Sequence, residues 1–109
     1  MLKYCQLTLV ATVLSLSATA ALAAGVPTTG PAKAGQETFN TICMQCHSIQ
    51  PDQVRFGPSL YGELKKPHPK KTDAEVRQIL KQGKGKMPAL GSKLSDQDIA
   101  NLVAYLHTL

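Results

Sequence analysis

Cysteine is scarce in this chain, tryptophan is absent, and no segment reads as a strand. Only three cysteines occur in 109 residues. Cys5 precedes a long uncharged run, and the other two, Cys43 and Cys46, lie within five residues of each other. A disulfide framework spanning a domain is therefore excluded, even in a compartment that permits disulfides. No stretch alternates apolar and polar residues with period two, which argues against a half-buried sheet. Beyond the N-terminal run there is no internal repeat and no low-complexity tract. No nucleophile stands with a base, and no carboxylate pair suits acid–base catalysis. Asp96 with Asp98, and Asp73 with Glu75, are explained by the positive end of a helix dipole. The sequence therefore predicts a protein that is not an enzyme.

The first two dozen residues have the layout of a secretory leader. Lys3 supplies a short positive n-region, Leu7 to Ala24 carries no charge, and Ala21-Leu22-Ala23 provides an A-x-A cleavage pattern. Residues 1–23 are expected to be removed as a signal peptide, taking Cys5 with them. An uncleaved anchor is the alternative, because a membrane span needs roughly 20 apolar residues. The many Ala, Ser and Thr make this run only weakly hydrophobic, so stable membrane insertion is not expected. Cleavage leaves 86 of the 109 residues, with 11 basic against 7 acidic side chains and a formal charge of +4. Export and the lack of aromatic residues interleaved with the basic ones argue against nucleic acid as a partner. Residues 24–30 read as a short linker and 31–109 as one domain. So small a domain buries a modest core and commonly needs a metal, a disulfide or a cofactor besides.

Helical spacing is clear in three places. Pro31 suits a first helical turn, and Ala34 or Gly35, Thr38, Phe39 and Ile42 then fall on one face. Thr72 and Glu75 form a capping box ahead of Val76, Ile79 and Leu80, with Lys81 near the helix end and Gly83 and Gly85 as stops. Ser95 to Asp98 cap a last helix whose apolar residues are Ile99, Leu102, Val103 and Leu106. Between these lies Ser48 to Pro69, with prolines at 51, 58, 67 and 69 and glycines at 57 and 62. It reads as loop, with one helical turn around Ser59 to Leu64. The predicted fold class is all-α, three to four short helices joined by long loops. Long loops are unusual in so small a domain. They become reasonable if they wrap a large apolar group.

Residues 43 to 47, CMQCH, supply a place for such a group. Structural zinc needs four ligands, usually in two paired sets. The remaining chain has two cysteines, and His47, His68 and His107 are 21 and 39 residues apart. A thioredoxin-like thiol pair needs a strand–helix context that is not visible. A c-type haem explains the spacing directly. Two cysteines one turn apart can add across the vinyl groups as thioethers, and the adjacent histidine is carried beneath the iron. For the sixth position the soft donors are Met44, which lies between the two cysteines, and Met87. Met87 stands 40 residues after His47 in a Gly-Lys-Gly-Lys-Met-Pro loop whose glycines let the chain bend towards a metal. His68, among prolines and lysines, and His107, at the edge of the last apolar stripe, read as surface residues.

Taken in order, these motifs resemble the small monohaem class I cytochromes c of bacteria, over about residues 31 to 109. Gly35 and Phe39 stand eight and four positions before Cys43, and Leu102 and Tyr105 lie three apart in the last helix. In the family these helices cross there, glycine permitting close approach. Gly57-Pro58-Ser59-Leu60-Tyr61-Gly62 matches the family's Gly-Pro-x-Leu-x-Gly, and Met87-Pro88 its Met-Pro pair. The resemblance implies the class I fold around one covalent haem c, anchored by Cys43 and Cys46 with His47 and Met87 as axial ligands. It also implies that the Pro58 carbonyl accepts the ring N–H of His47. Tryptophan, which some members use near the haem propionates, is missing. Tyr61, Arg55 or a backbone amide are the candidates to replace it.

Occupied axial positions leave no site for oxygen, and a thioether donor favours ferrous iron. The expected function is one-electron transfer between periplasmic or membrane redox partners. A haem-based sensor with a displaceable Met87, or a cytochrome subunit of a larger periplasmic dehydrogenase or oxidase, are the alternatives. Lysines cluster at 65, 66, 70 and 71 and again at 81, 84 and 86. The first group is equally well explained by solvation of a proline-rich loop. The second leads into Met87 and suggests steering towards acidic docking surfaces on redox proteins.

Overall fold

The structure, a computed structural model, describes residues 30–109. The expected signal peptide, its cleavage point, Cys5 and residues 24–29 of the linker lie outside the described residues. Within them the order is α1 (Gly30–Ile42), a 3-10 turn (Cys43–Gln45), α2 (Asp73–Gln82) and α3 (Asp96–Leu106). Among the described residues there is no strand, only an isolated bridge between Lys84 and Met87.

Local chemistry sets the ends of α2 and α3. Thr72 accepts from the Glu75 backbone N–H at 3.2 Å while Glu75 accepts from the Thr72 N–H at 2.7 Å, and Ser95 and Asp98 repeat the exchange at 3.0 and 2.8 Å. Each box satisfies amides that the first turn leaves unpaired. The hydrogen bonds from Thr72 and Ser95 hold the Glu75 and Asp98 carboxyls below the usual carboxylate range. At the other end of α2, Lys81 pairs with Asp96 at 2.7 Å and so ties the exit of α2 to the entry of α3. His107 Nε2 lies 2.8 Å from Asp73 Oδ1 and joins the opposite ends.

The principal packing is α1 against α3. A Cβ on Gly35 would run into the Asn101 carbonyl and come within 2.9 Å of the Tyr105 Cβ, so only a bare backbone fits there. One turn on, the Phe39 and Tyr105 rings meet at a centroid distance of 5.4 Å, tilted by 59°, a favourable edge-to-face geometry. Both rings are buried, together with Ile99, Leu102, Val103 and Leu106. The apolar faces expected for α1, α2 and α3 are the faces observed, although Ile79 is only half-buried.

The loops differ from expectation in one respect. Instead of a helical turn over Ser59 to Leu64, only residues 61–64 form consecutive turns, with Glu63 N–H donating to Leu60 at 3.3 Å and Lys65 N–H to Gly62 at 3.2 Å. They still deliver a core side chain, because Leu64 is completely buried. Leu90 and Leu94, in the loop before α3, are buried as well. The Leu90 N–H donates to Leu80 at 2.9 Å, pinning that loop to α2.

Because a methyl at Gly35 meets rigid backbone, Gly35→Ala is expected to destabilise the folded domain by about 1–3 kcal/mol or more. Denaturant melts of Gly35→Ala against a surface control such as Lys33→Ala will measure this.

Candidate functional site

The helix crossing delivers the end of α1, and with it CMQCH, to the edge of a cavity of about 430 Å³. In the 3-10 turn both the Cys46 and the His47 N–H donate to the Cys43 carbonyl, at 3.1 and 2.9 Å. One tight turn thus presents all three side chains on the same wall. Cys43, Cys46, His47, Pro58 and Met87 all line this single cavity. Sequence had separated them by as many as 44 residues.

His47 is buried, and its Nδ1 lies 2.8 Å from the Pro58 carbonyl oxygen. A carbonyl can only accept, so Nδ1 carries the proton and Nε2 retains a lone pair, the tautomer a metal-binding histidine needs. The ring is pressed against Gly57: a Cβ there would sit 2.5 Å from Cε1 and 2.8 Å from Nδ1. Gly57 is itself fixed by donating its N–H to the Cys46 carbonyl at 2.7 Å. In the sequence Gly57 stands out only as a loop glycine and as part of the Gly-Pro-x-Leu-x-Gly motif. Its contact with an imidazole ten residues earlier has no periodicity that would reveal it.

Cys43 is partly buried, Cys46 is exposed, and the two are not disulfide-bonded. Burial pushes the Cys43 thiol up to about 11. It therefore stays protonated at neutral pH, unlike the acidic thiol of a dithiol switch. Among the described residues no group of three or more His, Cys, Asp or Glu is assembled to hold a metal ion. The four-ligand set of a structural zinc site is not brought together there.

Met87 reaches the cavity on a rigid loop. Lys84 and Met87 exchange both backbone hydrogen bonds at 3.0 Å, closing a turn in which Gly85 takes φ 57°. Gly83, at φ 76° and ψ 173°, adopts a conformation essentially restricted to glycine. A Cβ on it would lie 2.6 Å from the Met87 carbonyl oxygen. The two glycines thus have distinct tasks, one in the turn and one beneath it.

The rest of the cavity is lined largely by apolar side chains, including Phe39, Leu60, Val76, Leu80, Leu102 and Leu106. Its size falls in the range of about 300–1,000 Å³ for small-molecule and cofactor sites. An apolar chamber edged by two thiols, a histidine with a free lone pair and a thioether fits a covalently attached haem. His68 and His107 are exposed and do not line it. Neither do Arg55 and Tyr61. Arg55 donates to the Met44 carbonyl at 2.6 Å, and Tyr61 is partly exposed with Lys65 6.0 Å above its ring. Lys71, Glu63, Lys84 and Lys86 do line it. No motif or periodicity in the sequence marks Lys71 and Glu63 as cavity residues; only the closed loop brings them there.

Comparison with known proteins agrees with this chemistry. The family described as cytochrome C oxidase, cbb3-type, subunit III matches residues 30–106. Cytochrome c6 of Picosynechococcus sp. is 35% identical over 82 residues, covering 69% of this chain and 70% of its own. Cytochrome c6 of Leptolyngbya boryana is 31% identical over 75 residues, covering 69% and 88%. The solved structure of cytochrome c6 from the diatom Phaeodactylum tricornutum superposes with a TM-score of 0.52 at 32% identity, covering 71% of this chain and 91% of that one. Of the functions weighed on sequence, these relatives favour the electron carrier over the sensor or the dedicated subunit. The chain belongs to the small monohaem class I cytochromes c, which are electron carriers rather than enzymes and hold one covalent c-type haem.

Proposed function

We propose that Cys43 and Cys46 carry the haem through two thioethers and that His47 and Met87 are its axial iron ligands, in an exported, periplasmic one-electron carrier. The observation that carries this reading is the convergence of those four side chains on one apolar cavity. The bound iron supplies a ferric–ferrous couple, which a thioether ligand biases towards the ferrous state. Pro58 holds the Nδ1 proton of His47 and so keeps Nε2 directed to the metal. Leu80, Leu102 and Leu106 exclude water from the site. Gly83 and the Lys84–Met87 bridge hold the thioether in place. With His47 and Met87 both donating to the iron, no position would remain open to oxygen or carbon monoxide. The leader expected in residues 1–23 fits export.

Redox proteins are the partners, and we assign them acidic docking surfaces. Lys81 is paired with Asp96 and Lys71 with Glu63, whereas Lys86, beside Met87, has no carboxylate partner among the described residues. The steering charge therefore concentrates on the Met87 loop. Its effect is on association rate, through long-range attraction that salt screens.

Met87→Ala is expected to retain the haem mass adduct while losing thioether coordination, lowering the midpoint potential and binding carbon monoxide readily. Gly83→Ala, which strains the loop by about 1–3 kcal/mol, is expected to weaken the same coordination in part. Mass spectrometry and visible spectra of both reduced variants check this, and an unchanged Met87→Ala spectrum would remove Met87 from the ligand set. The second-order rate with an acidic redox partner is expected to fall about tenfold as salt is raised. Stopped-flow rates that are flat in ionic strength would exclude lysine steering.

A further inference from the structure

The four charged side chains lining the main cavity are Glu63, Lys71, Lys84 and Lys86. Two of these, Lys71 and Lys84, also line a neighbouring hollow, together with Lys70, Glu75, Gln78 and Gln82. Ile79 borders both. The apolar chamber therefore abuts a polar, cation-rich hollow along a seam made by Lys71, Ile79 and Lys84. That arrangement suits a flat apolar body that ends in carboxylates. Haem is such a body: once its vinyl groups are consumed by two thiols at one edge, its two propionates project from the other.

We propose that Lys71 and Lys84 bind the haem propionates at this seam, in the role that the sequence left without a tryptophan. The inference rests on the haem reading above. Lys71 is well prepared for it. Its Nζ donates to Glu63 Oε1 at 3.0 Å, and the Lys70 and Lys71 N–H groups donate to the Glu63 carbonyl at 2.9 and 3.4 Å. The loop is thus folded back on itself, and the ammonium is held at the cavity wall. An ammonium has three donors, so pairing with Glu63 leaves two for a carboxylate. Lys84 is rooted by its double backbone bond to Met87, which places the second cation beside the axial-ligand loop. Glu63 shows only 12% of its side chain to solvent, so its charge stands against the cavity with little screening. Without Lys71, Glu63 and the propionates would repel one another directly. The other charged groups around the seam are Lys70, 4.0 Å from Glu63, Lys86, and Glu75, which is occupied by Thr72. Arg55 is committed to the Met44 carbonyl, which removes it from the role.

The experiment uses the haem-loaded protein, its covalent haem verified by mass, and follows the midpoint potential across the acid to neutral pH range. Lys71→Gln is expected to lower the potential, because an uncompensated propionate charge favours ferric iron. It is also expected to move the proton-linked step in potential to higher pH, because that charge becomes harder to form. Lys71→Arg is expected to restore both. Lys33→Gln removes the same charge from α1 and is expected to do neither to a comparable degree. Lys84→Gln leaves the Glu63–Lys71 pair intact and is expected to shift the potential in the same direction, which keeps the test available if Lys71→Gln loads poorly. Potentials and pH profiles of the Lys71 and Lys84 variants that match Lys33→Gln would overturn the proposal. A wild-type protein without a haem adduct would instead overturn the haem reading beneath it.

Discussion

The contact of Gly35 with α3 governs where everything else in the domain can stand. With no side chain at that point, the backbone of α1 rests on Asn101 and Tyr105, and Phe39 slides under the Tyr105 ring one turn later. The end of α1 then lies at the cavity, so the Cys43–His47 segment emerges at its rim. The position of Cys43, Cys46 and His47, the proposed haem anchors and iron ligand, is therefore set by a helix crossing that none of those residues takes part in. The capping boxes and the Lys81–Asp96 pair play a smaller part, orienting α2 so that Val76, Ile79 and Leu80 close the opposite wall.

A domain of about 80 described residues with a chamber through its middle is short of apolar contact by itself. Small domains bury proportionally little surface, and here the loops contribute Leu64, Leu90 and Leu94 to the core in place of further helices. A large apolar cofactor bonded to the chain supplies the missing interior, which is why loops of this length are compatible with one stable fold. Function and folding use the same side chains, since Leu80, Leu102 and Leu106 line the cavity and also belong to the core.

His47 and Met87 both depend on unusual backbone nearby. His47 lies on Gly57 and donates to Pro58, so adjacent residues of one loop set the depth and the tautomer of the ring. Met87 depends on Gly83, whose conformation only glycine readily adopts, and on a turn closed by two hydrogen bonds. Such closely defined backbone would suit electron transfer, in which a coordination sphere that moves little between oxidation states needs little reorganisation.

Much of this was legible in the residues themselves. The three helices, the two capping boxes and the buried faces follow from spacing and hydrogen-bonding chemistry that act within a few residues, and the CMQCH spacing selects covalent haem by short-range geometry. Resemblance to the family added the pairing of Gly35 and Phe39 with Leu102 and Tyr105, the link between His47 and Pro58, and the Met87-Pro88 match. The ring of His47 against Gly57, the burial of Leu64, and the seam where Lys71 and Lys84 meet came only from the tertiary structure. Each joins segments distant in sequence through irregular loops, where neither periodicity nor propensity carries information. The amino-acid sequence by itself determined the helices and the kind of cofactor. The folded chain alone decided which charges and which bare backbone would face it, because those contacts exist only after the loops close.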